Sequence, residues 1–226
     1  MTNVASQPLR KPGRQHDCRP HDLVRVNGAD ALQSAAPLPD WVGKVWHPGL
    51  PLVVRRDFSA DGLIPAGIRG DTRAERAAVW LAPDSVIETV TPESLVADTG
   101  RLAASPFADT RPVQALILLV RQAIPWCWGV TGSCGYALAT GKAVMHADSD
   151  LDILVRCPEP ASPADFDELA DIMASLPCRT DIQIEIPAGA FALKEWLRES
   201  RHDSGGRVLL KTDFGPVLTD NPWQPE

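Results

Sequence analysis

The sequence predicts an α+β / α/β protein, in which a mixed sheet with flanking helices is preceded by a smaller α+β unit. Three observations carry this. Helix-length apolar segments alternate with short strand-length runs from about residue 110 onward. Residues 180–186 (TDIQIEI) alternate polar and apolar, the period of a half-buried strand. Pro, Gly and Trp punctuate the first hundred residues, leaving strand-length runs between them. With 226 residues, 44% of them hydrophobic, the chain can build one large core or two small ones and is not a disordered tail.

Taken in order, the first 15 residues are polar and are expected to be flexible. Residues 21–26, 52–55 and 63–69 read as strands, with an irregular Trp-rich stretch at 41–51. Residues 73–81 have a helical composition and Pro83 stops them. A strand is expected at 86–90, a short Pro-started helix at 92–97 and a linker at 98–106. Residues 112–124 are an apolar helix, and a short strand closes at 130–132. The next helix includes 136–140 and stops at Gly141. A strand at 151–156 leads to a helix at 165–176 with Ser162 as N-cap. The strand at 180–186, an amphipathic helix at 190–201 and a hairpin from 207–211 and 217–219 complete the chain. The boundary is placed near 105, giving an N-terminal α+β domain at 1–105 and a second domain at 106–226.

Composition excludes several function classes. A net charge of −7 and a pI near 5.2 disfavour a protein that coats nucleic acid, since phosphate neutralisation needs surplus Lys and Arg. The longest apolar run, residues 115–120, is far short of the roughly 20 residues of a membrane span. The first residues have no apolar signal region. Five cysteines without C-x-x-C spacing argue for reduced thiols in a cytoplasm rather than a zinc ribbon or redox pair.

The chemistry concentrates in residues 129–155, GVTGSCGYALATGKAVMHADSDLDILV. Asp150 and Asp152 are two apart on a strand and share a face. Two neighbouring carboxylates repel unless a cation lies between them, and Mg²⁺ favours carboxylate and phosphate oxygens. Upstream, Gly132-Ser133 sits at a strand-to-helix turn, where backbone N–H groups and a helix N-terminus can meet a phosphate. Two-metal chemistry calls for a third carboxylate, and Asp181 is the candidate, with Glu185 on the same face as the reserve. Asp148, Asp150, Asp152 and Glu159 also fall at calcium-loop offsets, but Ile153 stands where such a loop needs Gly. Asp148 is left as a turn residue.

Together these residues resemble the signature of the nucleotidyltransferase superfamily. The fuller string from Thr131 to Val155 is similar to the malonate decarboxylase holo-acyl carrier protein synthase family, also called phosphoribosyl-dephospho-CoA transferases. Segments 20–23 (PHDL), 64–70 (IPAGIRG) with Arg73 and Arg76 behind it, and 181–196 resemble the same family. The resemblance implies a nucleotidyltransferase-like catalytic domain. It also implies transfer of a phosphoribosyl-dephospho-CoA group from triphosphoribosyl-dephospho-CoA to a serine of an apo acyl carrier protein, with diphosphate leaving. Asp150 and Asp152 would be the family's essential carboxylates, holding Mg²⁺ together with Asp181. Gly132 and Ser133 would hold the β- and γ-phosphates. Arg69, Arg73 and Arg76, the latter two placed on one helix face, would bind the phosphates of the donor or the carrier protein. A small-molecule or protein adenylyltransferase and a non-catalytic relic of the same fold are the competing readings. No nucleic acid and no membrane is expected as partner.

Overall fold

The computed structural model describes residues 16–225 apart from 73, 147 and 202–205. The expected flexible start and Arg73 lie outside the described residues. What is described is an α+β protein with two sheets. The first runs in the order β4-β3-β2-β1-β5, from β1 (Leu23–Val26), β2 (Leu52–Val54), β3 (Ile64–Arg69), β4 (Arg76–Leu81) and β5 (Val86–Val90), all antiparallel. One face buries Val24, Leu52, Ile64, Ile68, Val79 and Leu81, together with a one-turn helix α1 (Val42–Val45) from the Trp-rich stretch.

The expected helix at 73–81 is a strand from Arg76 on. Its residues are good helix formers, but that preference is worth only a few tenths of a kcal/mol per residue. Here Ala77, Val79 and Leu81 alternate into the core and all six residues of β4 pair with β3. Burying Val79 and Leu81 at about 2 kcal/mol each outweighs the local preference. The N-terminal region is therefore mostly β.

Helix α2 (Thr99–Ala103) stands where a linker was expected, because Asp98 caps it by accepting from the backbone N–H of Gly100 (2.8 Å) and Arg101 (3.2 Å). The expected helix at 92–97 is a run of turns instead. Ser94 spends its hydroxyl and its N–H on Thr91, an alternative to helical bonding, and the Pro92 carbonyl accepts from Val130. Helix α3 (Arg111–Leu119) ends five residues earlier than predicted, ahead of Ile124, whose following proline disfavours helix.

The second sheet runs β11-β10-β9-β8-β7-β6, from β6 (Cys127–Val130), β7 (Leu151–Arg156), β8 (Thr180–Ile186), β9 (Gly189–Ala192), β10 (Val208–Thr212) and β11 (Gly215–Thr219). It is mixed, since β7 and β8 are parallel and the other neighbours antiparallel. Helix α4 (Gly132–Thr140) joins β6 to β7 and stops at Gly141, which takes φ 72. A turn opened by a Ser162–Asp165 capping box leads into α5 (Asp167–Ala174), the crossover from β7 to β8. The helix expected from 190 begins only with α6 (Leu193–Glu199). Residues 190–192 belong to β9, where Phe191 is fully buried and Ala190 pairs with both Glu185 and Lys211.

Buried charge ties the two sheets together. Arg156 on β7 donates to Glu93 (2.6 Å) and Glu185 (2.8 Å) and stands 3.9 Å from the buried Asp22. Arg56, just after β2, donates to the other oxygen of Glu185 at 2.9 Å. Burial opposes ionisation of Glu93, but the hydrogen bond and charge of Arg156 outweigh it and hold the carboxyl below its usual range. Arg156→Met would take one cation away from three carboxylates in the interface, although Glu185 keeps Arg56. It is expected to cost about 3 kcal/mol in urea denaturation; a change within experimental error would show that the network contributes no cohesion.

Candidate active site

The site is built on the β6–α4–β7 unit. Strand β6 ends at Val130, and Thr131 stays extended at the N-cap with no side-chain cap. Gly132 then turns the chain with φ 63, a left-handed conformation that glycine adopts without strain. A Cβ at this position would stand 1.7 Å from Asp152 Oδ2. The glycine thus lets the Asp152 carboxylate lie directly against the opening turn of α4. The backbone reinforces the arrangement, since Thr131 N–H donates to the Asp152 carbonyl at 2.9 Å. An N-terminal helical turn beside a carboxylate suits a metal-bound phosphate, with N–H groups for the anion and an acid for its cation.

Asp150 and Asp152 both line a cavity of about 630 Å³, together with Gly132 and Ser133. Asp148 lines it too, from the turn in which Ser149 Oγ accepts from His146 N–H. Asp181 stands directly beside Asp152 across the parallel β7–β8 pair, on the same face and one strand away, but exposed and outside the lining of that cavity. Glu185 is engaged by Arg56 and Arg156. Among the described residues no three His, Cys, Asp or Glu side chains converge as a ready-made metal cage. The donor set present, two carboxylates against a cavity that has room for a polyphosphate, is of the kind Mg²⁺ uses when it takes its other oxygens from water and substrate.

Arg179 was not singled out from sequence. It donates from Nε and Nη2 to Asp150 Oδ1, each at 2.8 Å, while its own side chain is 81% exposed. The parallel register explains the contact: Leu151 pairs with Thr180, which sets Arg179 beside Asp150.

Arg69 and Arg76 reach the same cavity from the first sheet. They come together as cross-strand partners closing the β3–β4 hairpin; Arg76 opens a strand, so the helix face expected to carry it is not there. Arg76 Nη1 is held by the carbonyls of Thr72 and Glu75, and the Arg69 guanidinium stands 5.5 Å from the centroid of the Tyr136 ring. Both arginines and Gly132 also line a second cavity of about 420 Å³, more apolar, between the outer face of the first sheet and α4. The two cavities form one cleft with the arginines at its neck.

His21 is half-buried at the far end of this cleft with φ 74. Its Nε2 accepts from the Gln183 amide at 2.7 Å, which places the ring proton on Nδ1. Burial, with the charges of Arg56, Arg156 and Lys211, pushes the imidazole down from 6.5 to about 4. Between those values the unfolded chain binds the extra proton. Stability is therefore full above pH 6.5 and falls as the pH drops toward 4, by at most about 3 kcal/mol. Asp22, pushed up by burial, acts in the opposite sense at the acid end. His21→Gln is expected to flatten thermal stability between pH 6.5 and 5; an unchanged slope would assign the dependence to other groups.

Other aromatic, thiol and lysine side chains in this half of the chain are structural or peripheral. Trp126 stacks on Phe166, with ring centroids 4.8 Å apart, inside the second core. Cys134 is fully buried, and burial pushes its thiol up to about 12, so it carries no thiolate near neutrality. Lys194 and Lys211 are exposed and line neither cavity. No helix among the described residues is long and apolar enough to cross a membrane.

Comparison with known proteins adds an independent finding. Residues 19–92 match the family model described as phosphoribosyl-dephospho-CoA transferase MdcG N-terminal domain, and residues 99–222 match that of the MdcG C-terminal domain. A phosphoribosyl-dephospho-CoA transferase from Klebsiella pneumoniae (strain 342) is 50% identical over 92% of this chain and 97% of its own length. Proteins of the same name from Pseudomonas putida and Azotobacter vinelandii (strain DJ / ATCC BAA-1303) are 40% and 39% identical, over 91% of this chain and 95% and 94% of theirs. No solved structure gives a significant match.

Proposed function

The chain belongs to the phosphoribosyl-dephospho-CoA transferase family, and we propose that it transfers a phosphoribosyl-dephospho-CoA group from triphosphoribosyl-dephospho-CoA to a serine of the apo acyl carrier protein of malonate decarboxylase. The observation that supports this most is Gly132, which seats the Asp152 carboxylate on the first turn of α4 and faces the pair Arg69 and Arg76 across one cleft. A triphosphate has a place there, and so does the charge that its cleavage releases. On this reading the 106–226 part has a nucleotidyltransferase-like architecture and supplies the carboxylates. The 1–105 part supplies the arginines.

The carrier serine Oγ attacks the α-phosphorus, the bond to the bridging oxygen of the diphosphate breaks, and diphosphate leaves with the electron pair. Asp150 and Asp152 are the residues that would hold Mg²⁺, which would supply positive charge to offset that of the leaving diphosphate. The N–H groups of Gly132 and Ser133, with the Ser133 hydroxyl, bind the β- and γ-phosphates. Arg69 and Arg76 meet the α-phosphate side from the opposite wall. Asp181, beside Asp152 on the next strand, takes the serine proton or helps hold the metal. The Arg179–Asp150 pair is solvent-exposed on the arginine side, so freeing Asp150 to hold a metal would cost little. No enzyme nucleophile takes part.

Diphosphate release tests this proposal. It is expected only when the donor, the apo carrier protein and Mg²⁺ are all present. Release without the carrier protein, at the same rate, would make the enzyme a hydrolase and overturn the reading.

A further inference from the structure

The outer face of the first sheet divides the cleft into zones. Leu23, Val53, Gly67 and Ala78 are successive cross-strand partners and form one row, small and apolar, all lining the 420 Å³ cavity. Two residues along the strands in one direction lies the pair Arg69 and Arg76. Two residues the other way lies Arg55, which lines this cavity but not the carboxylate cavity. The Cα atoms of the two arginine zones are therefore about 13 Å apart, four strand steps. Arg55 is positioned by its own contacts: Nε donates to the Ala66 carbonyl at 2.9 Å, Nη1 donates to Asp57 at 3.3 Å, the guanidinium stands over Trp80, and the stem passes over Gly67. Tyr136 and Gly135 of α4 form the opposite wall. From the carboxylates outward, the cleft runs anion site, arginine neck, flat apolar slot, second arginine.

The geometry points to a purine-nucleoside subsite in the apolar slot, with Arg55 meeting the 5′-diphosphate that leads to the pantetheine arm. This rests on the proposed donor, whose parts follow the same order: triphosphate, ribose, adenosine, diphosphate, arm. A slot floored by Ala78 and by the Arg55 stem over Gly67 admits a planar ring, and Tyr136 and Arg69 offer it aromatic and guanidinium surfaces. Its volume falls within the few hundred Å³ of small-molecule sites. Arg55 is a specificity residue in this account. It does not touch the reacting phosphorus.

Calorimetry tests the subsite without turnover, using 3′-dephospho-CoA and, by displacement, adenosine. Arg55→Gln is expected to weaken 3′-dephospho-CoA at least about tenfold, the range of one charge-assisted contact, and to leave adenosine within about twofold. Arg55→Lys recovers part of the loss. Ala78→Leu, at an exposed position of β4 that leaves the core intact, is expected to weaken both ligands. If Arg55→Gln weakens both ligands equally, the residue is merely structural and the assignment fails. It fails too if Ala78→Leu changes neither ligand, or raises only the KM for the carrier protein. Absence of group transfer by an enzyme that still shows this binding pattern would overturn the proposed reaction and leave the subsite standing.

Discussion

Asp152→Asn is expected to lower the transfer rate about 10³-fold while leaving the thermal midpoint nearly unchanged. The substitution keeps the shape of the side chain. It also spares the backbone carbonyl that receives the Thr131 N–H, so the turn into α4 keeps its anchor. What disappears is one negative charge at the point where the proposed reaction needs a metal and a phosphate to meet. Asp150→Asn should behave alike and also release Arg179. Asp181→Asn separates the roles: as a proton acceptor its loss tilts the pH–rate profile, whereas as a metal ligand it raises the Mg²⁺ concentration needed for half activity. Full activity in Asp152→Asn would move the chemistry out of this cleft.

Gly132→Ala is the second large effect, and it acts through geometry alone. Two costs coincide at this position. A left-handed φ of 63 penalises an L side chain by about 1 kcal/mol, and the added methyl would overlap Asp152 Oδ2 at 1.7 Å. The carboxylate must move by about an ångström, enough to lower the rate about 10²-fold. The expected result is a folded enzyme with a modestly lowered midpoint and impaired metal dependence. Unimpaired kinetics would show that the seating of Asp152 on the α4 turn is incidental.

These two residues were legible in the sequence because their relation is local. A Gly-Ser turn, a helix and an Asp-x-Asp strand follow one another, and periods of 2 and 3.6 place their side chains. The strands at 151–156 and 180–186 were legible for the same reason. What escaped is what depends on pairing between distant segments. Residues 76–81 look helical until β3 lies beside them, because intrinsic preference is small against six paired residues and a buried Val79 and Leu81. Arg76 was expected on a helix face with Arg73; hairpin register instead joins it to Arg69. Arg179 and Arg55 carry no local mark, since one is placed by the parallel β7–β8 register and the other by its position along a cross-strand row. His21 shows no sequence sign of burial, which comes from the meeting of the two sheets at Gln183.

The charge distribution fits the same division. Residues 1–110 hold 12 Lys and Arg against 13 Asp and Glu, whereas residues 111–226 hold 10 against 16. The acidity of the chain lies mostly in the part that presents Asp150 and Asp152, where a bound divalent cation would offset some of it. The nearly neutral part contributes Arg69, Arg76 and Arg55 to the opposite wall of the cleft.

The most direct test of the account is the intact mass of the apo acyl carrier protein of malonate decarboxylase after incubation with the enzyme, triphosphoribosyl-dephospho-CoA and Mg²⁺. The account predicts one added phosphoribosyl-dephospho-CoA group, located on a single serine, with none added by Asp152→Asn. A carrier protein of unchanged mass, or one modified equally by Asp152→Asn, would contradict it.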